Sequence, residues 1–179
     1  MTRACGDCQL CCKLMPLPEL RKGANTRCEH QRRGKGCMIY RRRPQPCALW
    51  SCRWLTGADT YDQQRPDRSH VVIDMIPDSI EVRRDDTGAS VAVVEVVQMW
   101  VDPDYRDAWR TDAVRAFITR RAAEGIGTIV RWGTDDGMVV LAPPMTPEWV
   151  EERGTAIPSR TSAEVFRMVQ MAREQRGAA

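Results

Sequence analysis

A chain of 179 residues that is 42% apolar and 28% charged can hold one ordinary domain, or a small module beside a domain of modest size, and is too apolar for a disordered one. No run approaches the roughly eighteen apolar residues of a membrane-spanning helix, and the opening MTRACGDCQLCC has no apolar stretch of the secretory kind; the expected compartment is the cytoplasm. The net charge of +3 conceals an asymmetry: 14 Lys and Arg against 6 Asp and Glu up to Arg68, net +8, and 13 against 18 from Ser69 onward, net −5.

All eight cysteines lie between Cys5 and Cys52, with none in the 127 residues that follow. A disulfide framework would staple the chain more widely, so this clustering in a cytoplasmic chain points to metal. The spacing is C-x2-C-x2-C-C-x15-C-x8-C-x9-C-x4-C, at Cys5, Cys8, Cys11, Cys12, Cys28, Cys37, Cys47 and Cys52. Two-residue gaps let neighbouring thiolates reach one ion. Adjacent Cys11 and Cys12 are expected to point apart and to serve different ions, or one to be spare. The opening also resembles the C-x2-C-x2-C of a bacterial ferredoxin, although a fourth cysteine follows at once and no Cys-Pro comes after it. Zn²⁺ is the first expectation, with iron or a [4Fe-4S] cluster as the alternative.

Residues 1–55 are broken by Cys, Gly and Pro and lack sustained periodicity, so something other than a hydrophobic core must hold them. The thiolates also answer the basic charge. Two four-thiolate Zn²⁺ sites add −4 and halve the local +8, which argues against a nucleic-acid partner. Arg41, Arg42 and Arg43 are read as serving the thiolates. Pro44 restricts Arg43 to extended backbone, and Tyr40 is read as packing over the site. His30 is a lesser candidate ligand, and His70 has no evident partner in the sequence. Trp50 and Trp54, flanking Cys52, are expected to roof the module against the rest of the chain.

Residues 56–68 are polar and read as a connector. Beyond them, residues 70–76, 79–84 and 91–100 read as strands. A helix is expected from Asp102-Pro103 to about Glu124, with Trp109, Ala113, Ala116 and Phe117 on its apolar side, Arg120 and Arg121 on its basic side, and Gly125 as the stop. Asp102, Asp104 and Asp107 then belong to the helix start. Residues 128–132 and 138–141 read as a hairpin around Asp136-Gly137. Ser162 is a candidate N-cap for a last helix carrying Val165, Met168, Val169 and Ala172. The fold class is therefore α+β: a small irregular cysteine-rich module at 1–55, a connector at 56–68, and a mostly antiparallel βββ-α-ββ-α extension at 69–179.

The cysteine constellation resembles a bacterial family, the CxxCxxCC cysteine-cluster family, described as zinc- or iron-chelating. The likeness starts with Cys5, Cys8, Cys11 and Cys12, continues with Cys28, and ends with the stretch from Cys37 to Cys47. There Ile39, Tyr40, Arg43 and Pro44 fit the family pattern C-x-I-Y-x2-R-P-x2-C. Gln9 stands where members often carry Gly, and Ala48 where they often carry Arg. The resemblance covers about a third of the chain and implies metal chelation without a reaction. It ranks Cys5, Cys8, Cys12, Cys28, Cys37 and Cys47 as the strongest ligands, with Cys11 and Cys52 spare or completing a second site.

Three functions follow as expectations. The first is a zinc-thiolate module with a structural or partner-binding role. The second is an iron–sulfur protein in electron transfer or as part of an enzyme. The third is a zinc or iron delivery protein. No Walker loop, dinucleotide fingerprint, nucleophile elbow or HExxH motif is present. The oligomeric state and any protein partner are left open.

Overall fold

The computed structural model describes residues 3–83 and 87–153. The expected helix after Ser162 lies outside them, as does Arg84 at the end of the second expected strand. The N-terminal part consists of short pieces. Helix α1 spans Leu10–Leu14, strands β1 (Gln31–Arg32) and β2 (Gly36–Cys37) form a two-residue hairpin, and helices α2 (Gln45–Leu49), α3 (Arg53–Thr56) and α4 (Pro66–Ser69) follow. None of these is long enough to be stable alone.

The second part is a six-stranded sheet. Its strands are β3 (Val71–Ile73), β4 (Asp78–Arg83), β5 (Ser90–Val101), β6 (Gly127–Arg131), β7 (Gly137–Leu141) and β8 (Val150–Glu152). The long β5 pairs antiparallel with β4 along its first half and with β3 along its second. Helix α5 (Asp112–Ala123) crosses over to bring β6 parallel to β5, and β7 and β8 add antiparallel. The fold is α+β with a mostly antiparallel sheet, as the sequence predicts.

Four details differ from the sequence reading. Asp102-Pro103 starts a 3-10 turn, Pro103–Tyr105; a second turn covers Ala108–Arg110, and the α-helix begins only at Asp112. The buried side of α5 is Val114, Phe117, Ile118 and Ala122, whereas Ala116 is exposed. The β6–β7 connection closes through Trp132 and Gly133, whose N–H groups donate to Asp136 O, so Gly137 is the first residue of β7 rather than part of the turn. The short strand β8 had no pattern strong enough to announce it.

Alternation along the strands gives the sheet two covered faces. On one, Val71, Ile73, Val97, Met99 and Val101 pack with Trp109, Val114, Phe117 and Ile118. On the other, Val72 and Trp100 pack with Leu10, Leu14 and Cys52, flanked by Cys11, Trp50, Trp54 and Leu55. The cysteine-bearing segment therefore sits on the sheet and shares a core with it.

Residues 56–68 fasten the two parts. Thr60 and Gln63 are buried. Gln63 Nε2 donates to Ala113 O at 2.6 Å, and Arg120 makes a forked pair with Asp62 at 2.8 and 2.9 Å. Arg3 reaches in from the N-terminal side, donating to Trp54 O at 2.6 Å and to Thr60 O at 2.6 Å. Among the described residues no helix is long and apolar enough to cross a membrane.

Candidate metal centre

All eight thiols line one cavity of about 400 Å³, between α1, the β1–β2 hairpin, α2, Cys52 and the sheet residues Gln98, Trp100 and Arg131. No cysteine is in a disulfide, seven are half-buried and Cys52 is buried. Residues far apart in sequence are brought together by backbone contacts. Cys8 N–H donates to Cys5 O at 2.9 Å, Cys28 N–H to Cys12 O at 3.1 Å, and Gln31 N–H to Cys28 O at 3.0 Å, while Gln31 pairs with Cys37 in the hairpin.

Gln9, a departure from the family resemblance, has a local task. It is buried, donates to Arg32 O and accepts from Gln31 Nε2 at 2.6 Å, tying α1 to the hairpin that carries Cys37. Gly36 lies at φ +80°, and a Cβ there would stand 3.2 Å from Gly6 O. Glycine thus lets the hairpin close on the Cys5–Cys8 loop.

Cys11 and Cys12 titrate as a pair: the neighbouring Cys11 thiol pulls the Cys12 thiol down to about 7, while Cys12 and burial hold Cys11 well above the ordinary thiol range. Burial pushes Cys47 and Cys52 up to about 11, and raises Cys5 and Cys8. A thiol that burial keeps protonated ionises only when a cation compensates it.

Fixed cations stand close. Burial lowers the Lys22 ammonium, while Cys12, Cys28, Cys11 and Cys47 act in the opposite direction. Its Nζ donates to Lys13 O at 3.2 Å, to Gly23 O at 3.3 Å, and to Met15 O. The Arg43 guanidinium lies 3.7 Å from the Tyr40 ring and acts on Cys5, Cys12 and Cys47. Arg43 also carries a buried Nε with no hydrogen-bond acceptor among the described residues. Arg43 has the extended backbone that Pro44 demands, φ −57° and ψ 147°.

Arg41 and Arg42 differ from the sequence reading. Both are exposed, and neither is among the groups that act most strongly on the shifted thiols. His30 lines the cavity beside Glu29, 3.6 Å away. His70 does have a partner: its ring stacks on Tyr105 at 3.5 Å between centroids.

Three residues at the site carry no motif in the sequence. Lys22 is one. The others are Arg65, 2.8 Å from Asp7, and Asp67, which Arg65 grips at 2.6 and 2.7 Å and whose charge acts on Cys8. Arg65 and Asp67 lie in the polar stretch read as a connector.

Among the described residues no group of three or more His, Cys, Asp or Glu is already arranged to hold a metal ion. The donor chemistry nevertheless fits a thiophilic metal. Eight cysteines line one space, the buried Lys22 and half-buried Arg43 offset thiolate charge, and an Arg N–H without an acceptor suits a sulfur. No protein-family model, curated protein or solved structure matches the chain.

Proposed function

We propose that the protein is a metal-thiolate protein of the cytoplasm, in which Zn²⁺ bound by the cysteines shapes the N-terminal part to meet a protein partner. One observation carries this reading: all eight cysteines, scattered over 48 residues of irregular chain, line a single cavity. The segment is built of one-turn helices and a two-residue hairpin. Metal–thiolate bonds would hold it with an energy of roughly 10–16 kcal/mol per structural zinc site. Closed four-thiolate zinc sites lack the open position that catalysis needs, so the role is structural. The resemblance to the CxxCxxCC family supports the same ligands.

A second reading has its own support. A cavity of about 400 Å³ exceeds what tetrahedral zinc with Zn–S bonds of about 2.3 Å requires. Iron–sulfur clusters fill more space, and their inorganic sulfides would give Arg43 Nε an acceptor. X-ray absorption on anaerobically purified protein separates the two. A sulfur shell at about 2.3 Å around zinc, with no metal–metal scattering, supports the first; iron with short iron–iron scattering overturns it in favour of the second.

The partner-facing side is the segment 31–43, which supplies Cys37, Ile39, Tyr40 and Arg43 to the cavity lining. Met38 and Tyr40 are exposed on it, 58% and 52%, among exposed Arg32, Arg33, Lys35, Arg41 and Arg42, and residues 31–43 contain no carboxylate. Met, Tyr and Arg are enriched at protein interfaces, and this charge suits an acidic protein surface. Binding of metal-loaded protein to poly-glutamate, lost when Arg41 and Arg42 are both changed to Glu at unchanged metal content, supports this. Tighter binding to single-stranded RNA at the same salt would replace the acidic partner with nucleic acid.

A further inference from the structure

We propose that the sheet wall of the cavity is a binding site for a small organic carboxylate, its acidic end at Trp100 and Arg131 and its apolar body among the leucines of the other walls. The site uses no sulfur, so it stands apart from the metal reading above.

Strand register builds the wall. Trp100 of β5 and Arg131 of β6 are paired residues and stand side by side on one face of the sheet; Gln98, two residues before Trp100, shares that face. All three line the cavity and all three are buried, with 6% of Gln98, 8% of Trp100 and 1% of Arg131 exposed. The residues between them turn to the other face, where Val97, Met99 and Val130 pack with Phe117 and Ile118. The same strands are thus apolar towards α5 and polar towards the cavity. A guanidinium in mid-sheet costs desolvation that an aliphatic side chain avoids, and a polar ligand gives it a use that packing does not.

Hydrogen bonds fix this wall from behind. Gln98 Nε2 donates to Asp78, Gln98 Oε1 accepts from Arg131 Nε at 2.6 Å, and Arg131 Nη1 donates to Thr134 O at 2.8 Å. What is missing is an acceptor. The indole N–H groups of Trp50, Trp54 and Trp132 donate to Asp74 Oδ1, Gln63 O and Arg106 O at 3.0, 3.1 and 3.0 Å. That of Trp100 is buried and meets no acceptor among the described residues. The other buried polar atom of the lining in that position is Arg43 Nε, again a donor. A buried N–H left unpaired costs about 1–3 kcal/mol, so a ligand that satisfies this wall brings acceptors.

Charge and shape narrow the class. Among the described lining residues Lys22, Arg43 and Arg131 stand against one carboxylate, Asp74. Asp74 Oδ1 already accepts from Trp50 Nε1 and, at 2.9 Å, from Ile76 N–H. Lys22 and Arg43 serve the thiolates; Arg131 acts on the ligand by its charge, its hydrogen bonds staying within the wall. Leu17, Leu20, Leu49, Leu55 and Ile76 supply apolar surface elsewhere. A largely apolar cavity of about 400 Å³ with a few polar groups on one wall has the usual form of a small-molecule site. A bare phosphate or sulfate would leave the apolar walls unfilled, which favours a carboxylate on an apolar body.

The test follows the indole N–H signals of the full-length, anaerobically purified, isotopically labelled chain as 3-phenylpropanoate is added, with the Trp100 signal assigned in the wild type. That signal should move downfield and saturate, half-way below about 1 mM, while the signal of Trp109, on the opposite face, stays in place. Trp100→Phe keeps a ring and removes the N–H; it should weaken binding roughly tenfold in equilibrium dialysis. The amide, 3-phenylpropanamide, keeps an acceptor and loses the charge, and should bind the wild type at least roughly tenfold more weakly. Equal binding of the amide overturns the carboxylate class, and unchanged affinity in a folded Trp100→Phe overturns the placement at Trp100. Absence of a saturable Trp100 shift with 3-phenylpropanoate, benzoate and butanoate, each up to about 10 mM, overturns the site. Metal content is measured on the same samples. Carboxylate binding in a chain that holds no metal supports this site and counts against the metal reading alone.

Discussion

Lys13 Nζ lies 2.7 Å from Asp102 Oδ1, joining the residue after Cys12 to the end of the longest strand. Asp102 is buried and also accepts from Asp104 N–H at 3.1 Å; Asp104 meets the same ammonium at 2.7 Å. The acidic residues that open the Pro103–Tyr105 turn thus hold α1 against the sheet. Lys13→Met should leave a buried carboxylate without its cation and cost about 1–3 kcal/mol in urea unfolding. A loss no larger than about 0.5 kcal/mol would class the pair with exposed ones.

Gly36 sets how closely the Cys37 hairpin approaches the Cys5–Cys8 loop. Alanine there meets a positive φ and a backbone oxygen at 3.2 Å. The variant should lose about 1–2 kcal/mol, and metal affinity should fall roughly tenfold, because the loaded form needs the closed hairpin. Competition with a chromophoric chelator measures this. Unchanged affinity would mean that the hairpin does not move with the metal.

Chelation should affect more than the cysteine segment. A binding energy of roughly 10–16 kcal/mol is comparable to the whole stability of an ordinary domain, about 5–15 kcal/mol. Hydrogen exchange should speed up across residues 5–52 on metal removal. It should speed up partly at Val72 and Trp100, which share a core with Leu10, Leu14 and Cys52. Phe117 and Ile118, on the opposite face, should keep their protection. Equal loss on both faces would contradict a two-faced sheet.

The Asp62–Arg120 pair gives a pH signature away from the thiols. Burial alone would raise the Asp62 carboxyl, but the Arg120 hydrogen bonds and charge outweigh it and leave it lowered. Its contribution is therefore present above the ordinary Asp value, about 4, and disappears as pH falls through the lower folded value. The pair is partly exposed, Asp62 26% and Arg120 32%, so about 1 kcal/mol or less is at stake. Asp62→Asn should lower stability by about 1 kcal/mol or less at pH 6, converge with the wild type in acid, and so flatten the acid limb of the stability curve. An unchanged acid limb would show that Arg120 does not act through Asp62.

How much of this was legible beforehand depended on periodicity. The β-branched run ending at Trp100 and the turn glycine Gly125 carry local signals strong enough to place β5 and the end of α5. The start of α5 was misplaced because Asp102-Pro103 resembles a helix start while serving a 3-10 turn whose carboxylates belong to Lys13. The cysteine spacing announced the donors. It did not reveal Lys22, or that Arg41 and Arg42 turn outward while Arg43 turns in. Those depend on loop paths, and neighbouring residues of one basic run carry no periodic mark.

The central claim is that these eight thiols hold metal. The most direct measurement is metal content together with reactive thiol count on anaerobically purified, folded protein. Zinc in stoichiometric amount, a colourless solution, and cavity thiols that react only after chelation are the expected result. Eight freely reactive thiols in a folded chain with no bound metal would contradict it.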